Sequence, residues 1–186
     1  MANQHSLISG DCMYPLSAAS DIRPARCSVR NPAAFLQDLR VVAAEHNTRI
    51  ICFNVDMIAG RIHAATAVAR AVRAFEEGVT ISNTLEMEAL LFAAGSRQCN
   101  IAASFGIHEG ENRVYICCFP ARKGVWTALE PLFRFVRESW DTIDPPKERQ
   151  LMGTFAISPE EIAAAGGSER IVALVLERVA LLQVLR

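Results

Sequence analysis

The stretch from Asp56 to Gly106 constrains this chain more than any other, because three apolar segments in it are punctuated by glycines placed where helices end. The first segment predicts a helix from about Met57 or Arg61 to Glu77, with Val68, Val72 and Phe75 on one face and Gly78 as stop. Arg70 and Arg73 fall on its surface. Asn83 is placed as an N-cap with Glu86 three residues on, followed by the stripe Met87, Leu90 and Leu91 up to Gly95. Ser96 is then placed to cap a third, short helix whose first residues are Arg97 and Gln98, and Gly106 closes it. A hydroxyl, a guanidinium, an amide and unpaired backbone N–H groups would converge at that helix start.

Around this platform the signals are uneven. Ser6 to Cys12 reads as a short edge strand, and residues 13–30, rich in Ser, Ala and Pro at their start, read as an irregular connection. Asn31-Pro32 is an N-cap followed by proline at the first helical position, with Phe35, Leu36, Leu39 and Val42 as the buried stripe and Asn47 as stop. Arg49 to Val55 is a dense apolar run suited to a central strand, and Arg113 to Phe119 gives a second strand, stopped by Pro120 and expected beside the first. Gly124 to Trp140 reads as helical but for Pro131, so either the helix kinks there or it starts at Pro131 and carries Phe135 and Trp140 on its apolar side. Asp141 to Gln150 reads as an exposed connection, and Leu151 to Ile157 as a third short strand or a turn. Ser158-Pro159-Glu160-Glu161 is a strong helix start ending at Gly166-Gly167, after which Ser168 is expected to cap a final helix apolar over more than one stripe.

These elements predict an α+β fold, a single domain over residues 1–186 with a small mixed or antiparallel β-sheet packed against several α-helices. Half of the residues are hydrophobic (51%) but aromatics make up only 7%, which suits an aliphatic, alanine-rich core. A net charge of −1 makes long-range attraction to nucleic acid weak, so any contact with RNA must be local or shared with a partner. The six cysteines show no C-x-x-C spacing, and the four histidines form no H-x-x-x-H pair, so free thiols and no bound metal or cofactor are expected. No apolar run approaches the ~18 residues of a membrane span, and the first residues lack the basic and apolar sections of a signal peptide. The expectation is a cytoplasmic protein without a membrane partner.

Several of these residues also carry a resemblance. The His63 to Phe75 helix, Gly78 followed by Ile81-Ser82, Glu86 before Leu90-Leu91, Gly95-Ser96-Arg97-Gln98 and Phe105-Gly106-Ile107 occur in the order and spacing of the PRPK-binding protein (TPRKB-like) family. That family supplies an accessory subunit of the KEOPS complex, and its Gly-x-Arg-Gln pattern is matched directly. The final helix, Val175-Leu176-Glu177-Arg178-Val179-Ala180-Leu181-Leu182, is also similar to the family's C-terminus. Cys99 departs from it, standing where an aliphatic residue is usual, as does the length between Cys12 and Asn31. The resemblance implies a non-catalytic subunit of the complex that installs threonylcarbamoyladenosine on tRNA. Such a subunit binds and stimulates the complex's atypical kinase/ATPase subunit and, in some members, holds the 3′ single-stranded end of the tRNA.

The residues themselves offer little for catalysis, since the phosphate-loop, dinucleotide, H-E-x-x-H and G-x-S-x-G signatures are all missing. Asp56, Glu86 and Glu88 could form a carboxylate pair, but helix capping and a solvated face explain them as well. Arg97 and Gln98 are the best candidates for gripping a phosphate or a base edge, against the plainer reading that Arg97 pairs with Glu86 or Glu88. The resemblance tilts the choice toward RNA, with Ser82, Asn83, His63 and Arg61 as neighbours in the same groove, although a lone His63 is more often structural. Phe75, Phe92 and Phe105 all stand at apolar positions and read as core. On the last helix Leu174, Arg178, Leu181, Leu182 and Leu185 are the candidate partner surface, against the reading that the leucines are internal. Two other functions remain open on the residues: a stand-alone RNA-binding module, and a small-molecule or redox enzyme using a cysteine and Arg97.

Overall fold

The computed structural model describes residues 21–184. Among these residues eight α-helices pack on both faces of one four-stranded antiparallel sheet, an α+β fold in strand order β2-β3-β1-β4. The strands are β1 (Asp21–Val29), β2 (Arg49–Asn54), β3 (Gly110–Phe119) and β4 (Arg134–Phe135). The helices are α1 (Pro32–Glu45), α2 (Gly60–Glu76), α3 (Leu85–Ala94), α4 (Cys99–Ala103), α5 (Val125–Leu129), α6 (Pro145–Phe155), α7 (Pro159–Ala165) and α8 (Ile171–Val184). The expected strand at Ser6 to Cys12 lies outside the described residues.

Alternation along the strands divides the core in two. Ile51 and Phe53 of β2 join Tyr115 and Cys117 of β3 under α2, α3, α6 and α8, while Ile50 and Cys52 join Val114, Ile116 and Cys118 toward α1 and α5. Because both faces are covered, β2 and the C-terminal half of β3 read as continuous apolar runs despite the antiparallel pairing.

Several caps follow the sequence directly. Asn31 Oδ1 accepts from Ala34 N–H at 3.1 Å, and Ser158 Oγ accepts from Glu161 N–H at 3.2 Å, each beside a proline at the helix start. Gly95 ends α3 in the left-handed conformation, φ 57°, which glycine adopts without strain. Strands β2 and β3 pair as neighbours, Ile51 opposite Cys117.

Other expectations are corrected. Residues 21–29 are not an irregular connection: they form β1, whose buried face is Ala25, Cys27 and Val29. Two of those three are small, so the alternation is faint. Pro24 fits because its carbonyl, and so its missing N–H, faces the short β4, where Val136 N–H donates to Pro24 O. Among the described strands β2 is an edge, not a centre; its apolar density reports burial of its faces and says nothing of lateral position. The helix expected over Gly124 to Trp140 is only the five residues of α5, after which Pro131 breaks the chain and β4 pairs with β1. Residues 145–155 are helical because Asp144 caps α6, accepting from Lys147 N–H at 2.8 Å before two prolines, so neither the exposed connection nor the short strand stands there.

Within the platform, Thr84 rather than Asn83 caps α3, and Ser168 lies in a 3-10 turn leading into α8 instead of capping it. Helix α4 starts at Cys99, two residues later than expected; Ser96 Oγ accepts from Gln98 N–H at 3.2 Å and shapes the turn before it. The buried face of α2 is Ala64, Ala67, Val68, Ala71 and Ala74, and Phe75 is 39% exposed rather than core.

Candidate functional site

Helices α2 and α3 are antiparallel, joined through Glu77 to Thr84, and two buried polar side chains hold their ends together. His63 on α2 is fully buried. Its Nδ1 accepts from Ala59 N–H at 3.0 Å, so Nε2 carries the proton and donates to Ala93 O at 3.0 Å. Burial lowers the imidazole pKa to about 4, so the ring is neutral at ordinary pH. At the other end Glu88 is also fully buried, and its Oε2 accepts from Ile81 N–H at 3.0 Å and Ser82 N–H at 2.8 Å. The carboxylate of Glu88 thus stands in for a strand partner of a turn.

This arrangement sorts the six residues expected to line one groove. Arg97 and Gln98 are exposed, between the end of α3 and the start of α4. Arg61 lies at the same end of the platform, with its N–H donating to Asp141 Oδ1 at 2.6 Å and its guanidinium 5.6 Å from the centre of the Tyr115 ring. His63 is nearby but inside the core. Ser82 and Asn83 lie beyond the far end of α2, a helix of 17 residues and so about 25 Å long. Four of the six therefore share an end and two do not. The five residues of α4 are too few for an appreciable helix dipole.

The carboxylates weighed for chemistry are separated. Glu88 is sequestered as described, Glu86 only approaches Arg49, at 4.0 Å, and Asp56 pairs with Arg113. Next to that pair the Lys147 amine donates to Val55 O at 2.6 Å, and burial pulls its pKa down to about 8. Among the described cysteines Cys27, Cys52, Cys117 and Cys118 are buried and Cys99 is exposed. Burial drives Cys27 and Cys118 up to about 12 and raises Cys52 and Cys117 as well, which suppresses the nucleophilic thiolate. Among the described residues no His, Cys, Asp and Glu side chains group as a metal site, and no helix is long and apolar enough to cross a membrane.

The final helix divides in the same way. Leu174 and Leu182 are buried against the platform, whereas Leu181 is 45% exposed; Leu185 lies outside the described residues. Arg178 is committed internally: Nη2 donates to both Glu161 oxygens at 2.8 Å and Nε to Phe155 O at 3.3 Å, joining α6, α7 and α8. Its backbone also approaches the end of α3, an added Cβ at Gly95 standing 3.6 Å from Arg178 O. What sequence reasoning missed is the outer face of α2, which packs beside α8 and carries Ile62, at 57% exposure, with half-buried Ala65 and Ala69 one and two turns on. The i, i+3, i+7 spacing was visible, but alanines gave it too little weight.

A family model described as kinase binding protein CGI-121 matches residues 27–183. No curated protein matches the chain.

Proposed function

Because the chain belongs to the CGI-121 family of kinase-binding proteins, we propose that it is the non-catalytic accessory subunit of a KEOPS-type complex that makes threonylcarbamoyladenosine on tRNA in the cytoplasm. In this reading it docks on the atypical kinase/ATPase subunit and stimulates it. The single observation that carries the reading is the family match across α1 to α8. The geometry suggests where docking occurs. Helices α2 and α8 pack on each other, and each leaves a large apolar side chain open, Ile62 and Leu181. Apolar anchors of this kind supply most of the energy of protein interfaces.

The same subunit would help hold the 3′ end of the tRNA. Support comes from Arg97 and Gln98, exposed at the same end of the platform as Arg61, which offer donors to phosphate oxygens and base edges. With a net charge of −1 the grip is weak for the isolated chain and gains strength in the complex.

Co-purification of the full chain with the kinase/ATPase subunit, followed by ATPase assay with and without it, tests the proposal. A stable, stimulated complex is expected, with tRNA retention reduced by Arg97→Ala in a protein that melts normally. A folded chain that neither binds nor stimulates the kinase overturns the docking role; unchanged tRNA retention in Arg97→Ala overturns the RNA role alone.

A further inference from the structure

Among the described residues β2 is an edge strand, and its outward backbone groups lie in a groove without partners. In its antiparallel pairing with β3, Val55 N–H donates to Arg113 O, while Asn54 N–H turns the other way, to Phe105 O. Alternation therefore directs the N–H and C=O of Ile50 and Cys52 outward, on the same side as Asn54, and among the described residues nothing bonds to them. Both residues are only 6% exposed, so these groups are recessed rather than spread on a surface.

The recess is a groove of about 340 Å³. Leu36 and Ala43 of α1 form one wall, and Met87 and Leu90 of α3 form the other. Arg40, Arg49 and Glu86 also line it. Arg49 and Glu86 meet only at 4.0 Å, with 63% and 32% of their side chains exposed, which leaves a positive balance at the rim.

We propose that this edge is a docking site for an extended segment of a partner protein, which adds as a fifth strand to Ile50 and Cys52. Unpaired donors and acceptors two residues apart on a strand edge match the backbone of another strand. Successive side chains of a strand point to opposite faces, so a segment with adjacent apolar residues would fill both walls at once. Its carboxylate would lie against Arg40 and Arg49. A second copy of this chain does not fit, since its own β2 edge is recessed between its own walls and the two edges cannot meet. Helix α8 contributes nothing to the groove, so this site is separate from the proposed kinase surface and stands or falls independently of it.

The test uses random linear peptides displayed on phage and panned on the full chain, with the enriched sequences synthesised and their binding measured. Leu36 is 38% exposed, so Leu36→Glu changes the wall without unfolding the protein; Arg49→Glu, at a side chain 63% exposed on the rim, is the second variant. Peptides with adjacent apolar residues and an acidic one are expected, binding about tenfold more weakly to Leu36→Glu, and more weakly to Arg49→Glu. They should slow hydrogen exchange at the Ile50 and Cys52 amides. The proposal is overturned if no peptide is enriched, or if Leu36→Glu and Arg49→Glu bind as well as the parent. It is equally overturned if those amides are already protected in the free chain and lose protection on deletion of residues 1–20, or if a dimer accounts for the protection.

Discussion

His63 donates its Nε2–H to the carbonyl of Ala93 across 3.0 Å, tying the first turn of α2 to the last turn of α3 with a ring that no solvent touches. Protonation would place a second N–H against the Ala59 N–H, where an acceptor is needed. The folded pKa of about 4 lies below the ordinary 6.5, so the unfolded chain binds the proton first as pH falls. Stability from this group is complete above pH 6.5 and is lost between there and pH 4, about 3 kcal/mol in all. Urea midpoints between pH 7 and pH 4 should fall accordingly, and the fall should be shallower in His63→Gln.

Glu88 organises the far end of the platform. Glu88→Ala leaves the Ile81 and Ser82 amides without their carboxylate, at a cost of about 2 to 4 kcal/mol, and Glu88→Gln should recover part of it through its remaining carbonyl oxygen. Thermal melts of the two variants check this. Equal melting temperatures for Glu88→Ala and the parent would show that the turn is held by something else.

Neighbouring leucines on α8 should behave oppositely. Leu181 is open and Leu182 is 4% exposed. Leu181→Glu, alone or with Ile62→Glu, should leave the melting temperature within a few degrees and weaken kinase binding by about tenfold or more. Leu182→Glu should instead destabilise the fold by roughly 3 kcal/mol or more, because it buries a charge without a partner. Calorimetry beside a binding titration separates the two effects.

Thiol labelling should follow burial. Cys99 is the exposed thiol among the described cysteines, and Cys27, Cys52, Cys117 and Cys118 lie in the core with raised pKa values where those are perturbed. Mass spectrometry after brief alkylation at pH 8 should find Cys99 modified in the native protein and the other four only in denaturant. Rapid modification of Cys117 in the native state would contradict the packing of the sheet.

Cap and stop chemistry was legible because it acts within four residues. Asn31-Pro32, Ser158-Pro159 and Gly95 each carry their own hydrogen-bond partner or backbone freedom with them, and β2 and β3 announced themselves by uninterrupted apolar runs. The exposed pair Arg97 and Gln98 was legible for the same local reason, although α4 begins two residues later. Strand β1 was not, since Ala25 and Cys27 are too small to mark a buried face and Pro24 argues against a strand until β4 is known to be short. Helix α6 was overlooked although Asp144 with two prolines repeats the pattern read correctly at α1 and α7.

By itself the sequence determined the caps of α1 and α7, the stop of α3, the strands β2 and β3 and the family, because these depend on neighbouring residues and on their order. Only the tertiary structure decided which residues are accessible and which edges are free. It buried His63 and Glu88, committed Arg178 to Glu161, left Ile62 and Leu181 open, and made β2 an edge. The physical reason is that a side chain's period places it on a face of its own helix or strand, whereas exposure depends on which other element covers that face, and that element can be distant in the chain, as Ala93 is from His63.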